Sequence, residues 1–148
     1  MPRILVLYNS RTGNTQKMAR TIAEGAKSVE GVDVELNDSV SPETLSDFDA
    51  IIVGTPTYRH NMVDEIEDFL IQVASRPYII LEGKIGAAFG SYGWTGEAPK
   101  MVIEVLKNKF GMRVSEPPLL VRYAPNQEAV QKCHEFGKRI AETFVRQI

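Results

Sequence analysis

The residues best suited to chemistry lie in one short run, Ser10-Arg11-Thr12-Gly13-Asn14-Thr15. The run follows directly on the apolar stretch Ile4-Leu5-Val6-Leu7-Tyr8. It leads into a segment where Met18, Ala19, Ile22, Ala23 and Ala26 share one face at helical spacing. A buried strand, a tight loop and a helix start make an anion site. The loop's N–H groups and the helix N-terminus aim at one spot, and the helix dipole favours negative charge there. The hydroxyls of Ser10, Thr12 and Thr15 add donors for phosphate oxygens, and Gly13 permits close approach or a positive φ. Arg11 adds a cation that either assists the anion or faces solvent. The run lacks a Gly-Lys-Ser/Thr ending, so it is not a nucleoside-triphosphate loop. It lacks the three spaced glycines of a dinucleotide site and the cysteine of a thiolate phosphatase. A hydroxyl-rich loop without lysine suits a permanently bound monophosphate better than a transferable one. The competing reading is an ordinary capped helix after a strand.

Two later stretches mix aromatic with small polar residues. One is Thr55-Pro56-Thr57-Tyr58-Arg59-His60-Asn61, and the other is Ser91-Tyr92-Gly93-Trp94-Thr95-Gly96-Glu97. Tyr58 and Trp94 are candidates to sandwich a flat ring while backbone amides bond its edge. Aromatic stacking contributes about 0.5–1.5 kcal/mol beyond area burial. Taken singly, each aromatic is more often core than ligand wall. Placement in loops at one sheet edge favours the ligand reading. A phosphate cradle beside aromatic walls suggests a flat heterocycle carrying one phosphate.

The elements that must position these loops alternate along the chain. Val32, Val34 and Leu36 alternate with charged residues, as in a half-exposed edge strand. Ser41-Pro42 opens a short helix. Ala50-Ile51-Ile52-Val53-Gly54 is a second apolar run. Val63, Ile66, Leu70 and Val73 return to helical spacing, and Pro77 stops that element. Ile85 to Gly90 is a third run, and Ala98 to Leu106 a helix face ended by Gly111. Leu119-Leu120-Val121 is a last strand before the helix marked by Val130, Cys133, Gly137, Ile140 and Phe144. Five strands interleaved with helices predict an α/β three-layer sandwich, a parallel sheet of order 2-1-3-4-5 with helices on both faces. Ligands of such sheets bind beyond the carboxyl ends of the strands, at the switch point between strands one and three. Flavodoxin is one of the proteins whose ligand sits in this place.

Composition narrows the function classes. The 148 residues amount to one domain by size, read here as a single domain over 1–148. With 43% hydrophobic and 24% charged residues the chain is of ordinary globular type, and a net charge of −2 points away from nucleic acid. The single cysteine, Cys133, excludes an internal disulfide and sits on an apolar helical stripe, as a buried structural thiol does. No leading segment resembles a signal peptide and no apolar run approaches the ~18 residues of a membrane span, so a cytoplasmic location is expected. Two histidines, His60 and His134, are too few for a diiron ligand cluster, and no metal site is expected.

The run from Val6 to Thr15 resembles the phosphate-loop signature of the flavodoxin family. Gly54 to Tyr58 and Gly90 to Glu97 resemble the later loops of the flavodoxin domain of flavodiiron (A-type) flavoproteins. The resemblance spans essentially the whole chain, and its lack of a long insertion in the last strand is that of the short-chain type. It implies non-covalent flavin mononucleotide (FMN), with Ser10, Arg11, Thr12, Gly13, Asn14 and Thr15 around the phosphate. Thr55 to Asn61 and Ser91 to Glu97 would flank the isoalloxazine. It implies a carrier of low-potential electrons between redox partner proteins, a monomer by default. The alternatives are an FMN-dependent NAD(P)H:quinone reductase and a non-catalytic flavin-binding module. Many family members have glycine in the loop after strand three, where a peptide turns toward flavin N5. Tyr58-Arg59-His60 has none, and a type II turn there would need positive φ at its third residue. The cost for an ordinary residue is about 1–2 kcal/mol.

Overall fold

The continuous apolar runs form the buried centre of a parallel sheet. The structure, a computed structural model, describes residues 1–145. Strand β1 (Arg3–Tyr8) leads into helix α1 (Asn14–Lys27), and β2 (Asp33–Asn37) follows. A 3-10 turn (Pro42–Asp47) precedes β3 (Ala50–Gly54). Two short strands, β4 (Thr57–Tyr58) and β5 (Asn61–Met62), come next, then α2 (Asp64–Ala74) and β6 (Ile85–Tyr92). Helix α3 (Glu97–Glu104) continues into a π-helical turn (Val105–Lys109). The chain closes with β7 (Arg113–Val114), β8 (Leu119–Arg122) and α4 (Gln127–Val145).

The main sheet has the order β2-β1-β3-β6-β7, with β8 also paired to β6, and every pairing in it is parallel. This is the expected 2-1-3-4-5 order, with its fifth strand in two pieces. Ile85 pairs with Arg113 and Phe89 with Leu119, so β7 and β8 lie end to end along β6. Ser115-Glu116-Pro117-Pro118 separates them, because Pro has no N–H for a ladder. A second departure is the antiparallel β4–β5 hairpin, which occupies the stretch expected to be plain loop.

Side chains alternate across the sheet and build a core on each face. Ile4, Val6, Ile52, Ala87 and Phe89 pack with α1 and α4; Leu5, Leu7, Ile51, Val53 and Ala88 pack with α2 and α3. The central strands are buried throughout while β2 is half-exposed, as its alternating sequence requires. Cys133 is fully buried against α1's face, and burial pushes its thiol up to about 11. Among the described residues no helix is long and apolar enough to cross a membrane.

Helices α1 and α4 meet backbone to backbone. A Cβ on Gly137 would stand 1.9 Å from the Ile22 carbonyl oxygen, and one on Gly25 would stand 2.0 Å from that of His134. Gly137→Ala is therefore expected to destabilise the protein. Overpacking costs about 1–3 kcal/mol, which offsets and exceeds the gain of about 1 kcal/mol from better helix propensity. Denaturant unfolding checks this, and an unchanged or raised midpoint would refute the close contact.

Candidate functional site

Four chain segments meet at the carboxyl edge of the sheet. The first begins where Asn9 N–H donates to the Gly54 carbonyl and continues the ladder by one bond. The chain then turns around Ser10, whose hydroxyl oxygen accepts from the N–H of Gly13 at 3.1 Å and of Gln16 at 3.2 Å. Gly13 sits at φ +92° as the N-cap of α1, a conformation that glycine adopts without strain. Its carbonyl accepts the first helical bond, from Lys17 N–H. Among the described residues, the N–H groups of Arg11, Thr12, Asn14 and Thr15 have no acceptor. These free donors stand at the positive end of the α1 dipole, which makes them an anion-binding nest.

The hydroxyls of this run are mostly structural. Thr15 is 1% exposed, and its Oγ1 accepts from Ser91 N–H at 3.3 Å. Its own hydroxyl proton stays available to a ligand. Arg11 neither points at an anion nor faces solvent alone. Its two terminal nitrogens bind Glu65 of α2 in a fork, at 2.6 and 2.7 Å. Each partner perturbs the other: the Arg11 guanidinium is raised and the Glu65 carboxyl lowered, chiefly by this shared hydrogen bond.

The second segment is tied down by threonines. Thr55 is fully buried; its hydroxyl donates to the Pro56 carbonyl and accepts from Val63 N–H. Thr57 Oγ1 accepts from Ala98 N–H at 3.0 Å and so caps the first turn of α3. Arg59 and His60 form the hairpin turn with φ of +52° and +63°. The sequence suggested a turn with one positive φ that Arg and His would resist. Instead both residues take it, in the manner of a type I′ turn, whose twist suits a two-residue hairpin. Each costs about 1–2 kcal/mol relative to glycine. His60 Nδ1 lies 2.7 Å from Glu97 Oε2 and 3.3 Å from Thr95 Oγ1, which fastens the turn to the third segment. Asn61 Oδ1 accepts from Met62 N–H.

Strand β6 runs on through Ser91 and Tyr92, both expected in loop. Gly93, Trp94 and Thr95 follow, and Gly96 is the N-cap of α3. A fourth segment went unrecognised in the sequence. Tyr123 N–H donates to the Tyr92 carbonyl, and the Ser91 hydroxyl donates to the Tyr123 carbonyl at 2.7 Å. Tyr123 is at φ +62°, beneath the Arg122 guanidinium. The available signal was an aromatic residue just past the last apolar strand, where a parallel sheet places its ligands.

These segments enclose a crevice of about 200 Å³, lined at one end by Arg11, Thr12, Asn14 and Thr15. Pro56, Thr57, Tyr58, Ser91, Tyr92, Gly93 and Tyr123 line the rest. It shares Thr57, Tyr58 and Gly93 with an outer pocket of about 300 Å³, where Arg59, His60, Trp94 and Thr95 form the rim. Ser10, Gly13, Thr55, Asn61, Gly96 and Glu97 line neither pocket and stand within two residues of lining residues in the chain. Trp94 is 90% exposed against 43% for Tyr58, so it is not packed beneath the loop as core. No group of three or more His, Cys, Asp or Glu side chains is placed to hold a metal ion among the described residues.

The clasp between His60 and Glu97 has a pH signature. The Thr95 hydroxyl, then His60, then its own backbone N–H hold the Glu97 carboxyl below its ordinary value of 4.5. A depressed folded value means that the Glu97 carboxylate's contribution is full above 4.5 and is lost as pH falls through the folded pKa. Carboxyl-carbon NMR titration should place the Glu97 midpoint below 4.5. A midpoint at or above that value would show that the clasp does not form.

A sequence model of the family described as Flavodoxin matches residues 6–137. The chain is 36% identical to a flavodoxin of Clostridium beijerinckii, over 92% of this chain and 97% of that one. It is 35% identical to the type A flavoprotein fprA of Rhodobacter capsulatus, over 94% of this chain but 32% of fprA. It thus spans about a third of the length of several curated relatives that it matches. The solved structure of a flavodoxin from the domain Archaea superposes with a TM-score of 0.89 at 36% identity, covering 97% of this chain and 99% of that one. The match over most of the length, in sequence and in fold, places the chain in the flavodoxin family, whose cofactor is FMN.

Proposed function

We propose that the crevice holds FMN without a covalent bond and that the chain, as one FMN-binding domain, carries low-potential electrons between redox partner proteins in the cytoplasm. The observation that carries this reading is the set of free N–H groups on Arg11, Thr12, Asn14 and Thr15, opening onto aromatic walls. The donor set fits the cofactor. Neutral amides at a helix N-terminus suit a phosphate monoester that stays in place, and among the described residues no lysine lines the crevice to assist its transfer. Asn9 Oδ1 is buried without a donor among the described residues, and offers an acceptor to a sugar-alcohol hydroxyl at the base of the loop. Tyr58, Tyr92 and Tyr123 supply flat walls. Trp94 loses almost no packing if its ring turns inward from the rim.

Bound FMN supplies electron transfer in one- or two-electron steps. The chain's own residues hold, orient and shield. The amides and the Thr15 hydroxyl fix the phosphate end. The His60–Glu97 clasp holds two of the ring-flanking segments together. The outer pocket leaves one side of the site open at Trp94, where a partner protein can approach.

Thr12→Ala combined with Thr15→Ala should weaken FMN binding by about 1–3 kcal/mol through lost bonds to a charged acceptor. Riboflavin should be affected far less, and Thr15→Ser should retain most of the affinity. Equal losses for both ligands would refute the phosphate assignment. The carrier role is tested by kinetics. Reduced holoprotein should pass electrons to a one-electron haem protein in stopped flow. With NADH or NADPH and a quinone, it should turn over no faster than free FMN. Enzyme-like turnover in the second assay would replace the carrier reading with that of a quinone reductase.

A further inference from the structure

The Arg11–Glu65 fork stands at the phosphate end of the crevice and has no part in holding the fold's core. Arg11 lines the crevice beside Thr12, Asn14 and Thr15, whose free amides await an anion. Among the described residues it is the one cation in that lining. Yet both of its terminal nitrogens are committed to one carboxylate, 54 residues away on the first turn of α2. The side chains of Arg11 and Glu65 are 42% and 51% exposed. Water screens such a pair, and its net contribution to stability is small. A guanidinium is well shaped to grip a phosphate in the same two-point fashion. Besides Glu65, the groups near enough to act on the Arg11 charge are Tyr58 and Asp64, the neighbour of Glu65.

We infer that Glu65 is a specificity-determining residue that masks Arg11, so the phosphate is read by neutral backbone donors and keeps its full negative charge. This rests on the FMN reading above. Two consequences follow from Coulomb's law. Affinity for the phosphate end is held below what the residues present could give. An unneutralised phosphate would also oppose any negative charge that the ring gains, which would disfavour reduction and hold the potential low.

The test is FMN and riboflavin titration of apoprotein, followed by flavin fluorescence, for wild type, Glu65→Ala, and Glu65→Ala on an Arg11→Ala background. Glu65→Ala should tighten FMN about three- to tenfold at low ionic strength and leave riboflavin unchanged. The gain should shrink as salt rises. It should be absent when Arg11 is also alanine. The midpoint potential of reconstituted Glu65→Ala should move positive, and that shift should likewise require Arg11. Weaker FMN binding in Glu65→Ala would show that the pair is a strap over the site, and would overturn the inference. So would an unchanged affinity, an equal change for riboflavin, or a gain that survives without Arg11. A melting curve for each apoprotein identifies a variant that fails to fold. Glu65→Gln, which keeps the side chain's size, then replaces Glu65→Ala with the same expected signs. Failure of the wild type to bind FMN at all would instead sink the cofactor reading, before any variant is compared.

Discussion

A helix begins with N–H groups that its own carbonyls cannot reach, and each must find an acceptor elsewhere. In this protein that constraint falls at the carboxyl edge of a parallel sheet, directly after β1. The Ser10 hydroxyl takes the amides of Gly13 and Gln16, and Lys17 is the first to bond within the helix. Asn14 and Thr15 are left, joined by Arg11 and Thr12 of the turn. Gly13 at positive φ bends the chain so that these donors face a common space. The remaining loops are arranged around that space.

The loops are held by hydroxyls, and the ligand-facing donors are largely backbone. Thr15 binds the amide of Ser91, Ser91 binds the carbonyl of Tyr123, Thr55 binds the amide of Val63, and Thr57 binds that of Ala98. Gly90 lets β6 approach the Thr55 carbonyl so closely that a Cβ would stand 1.9 Å from it. A side-chain change in any of these threonines therefore acts on two segments at once. The strained Arg59-His60 turn persists because the hairpin below it and the clasp to Glu97 over-determine it.

Much of this was legible in the sequence. Apolar runs at Ile4 to Tyr8, Ala50 to Gly54 and Ile85 to Gly90 can only be central strands, and the half-polar run at Val32 to Leu36 can only be an edge. The loop from Ser10 to Thr15 announces itself by its position between strand and helix. What was not legible depends on contacts between distant positions. Nothing near Arg11 names Glu65 as its partner, and nothing near His60 names Glu97. The hairpin was hidden because Arg59-His60 lacks the Asn-Gly or Asp-Gly pair that normally marks a type I′ turn. The split fifth strand was half visible, since Arg113-Val114 is too short to show a period. The apolar run of the last strand ends at Val121, two residues before Tyr123, so the strand's pattern does not reach it.

If the free backbone donors at the start of α1 receive a phosphate, their own resonances must report it. The most direct measurement is the amide NMR spectrum of apoprotein titrated separately with FMN, inorganic phosphate and riboflavin. Charge-assisted hydrogen bonds move N–H resonances downfield. The amides of Arg11, Thr12, Asn14 and Thr15 should shift downfield with FMN and, more weakly, with phosphate. Riboflavin should leave them in place while still perturbing Tyr58 and Gly93. Saturation with FMN that leaves all four amides unmoved would contradict phosphate binding at the start of α1.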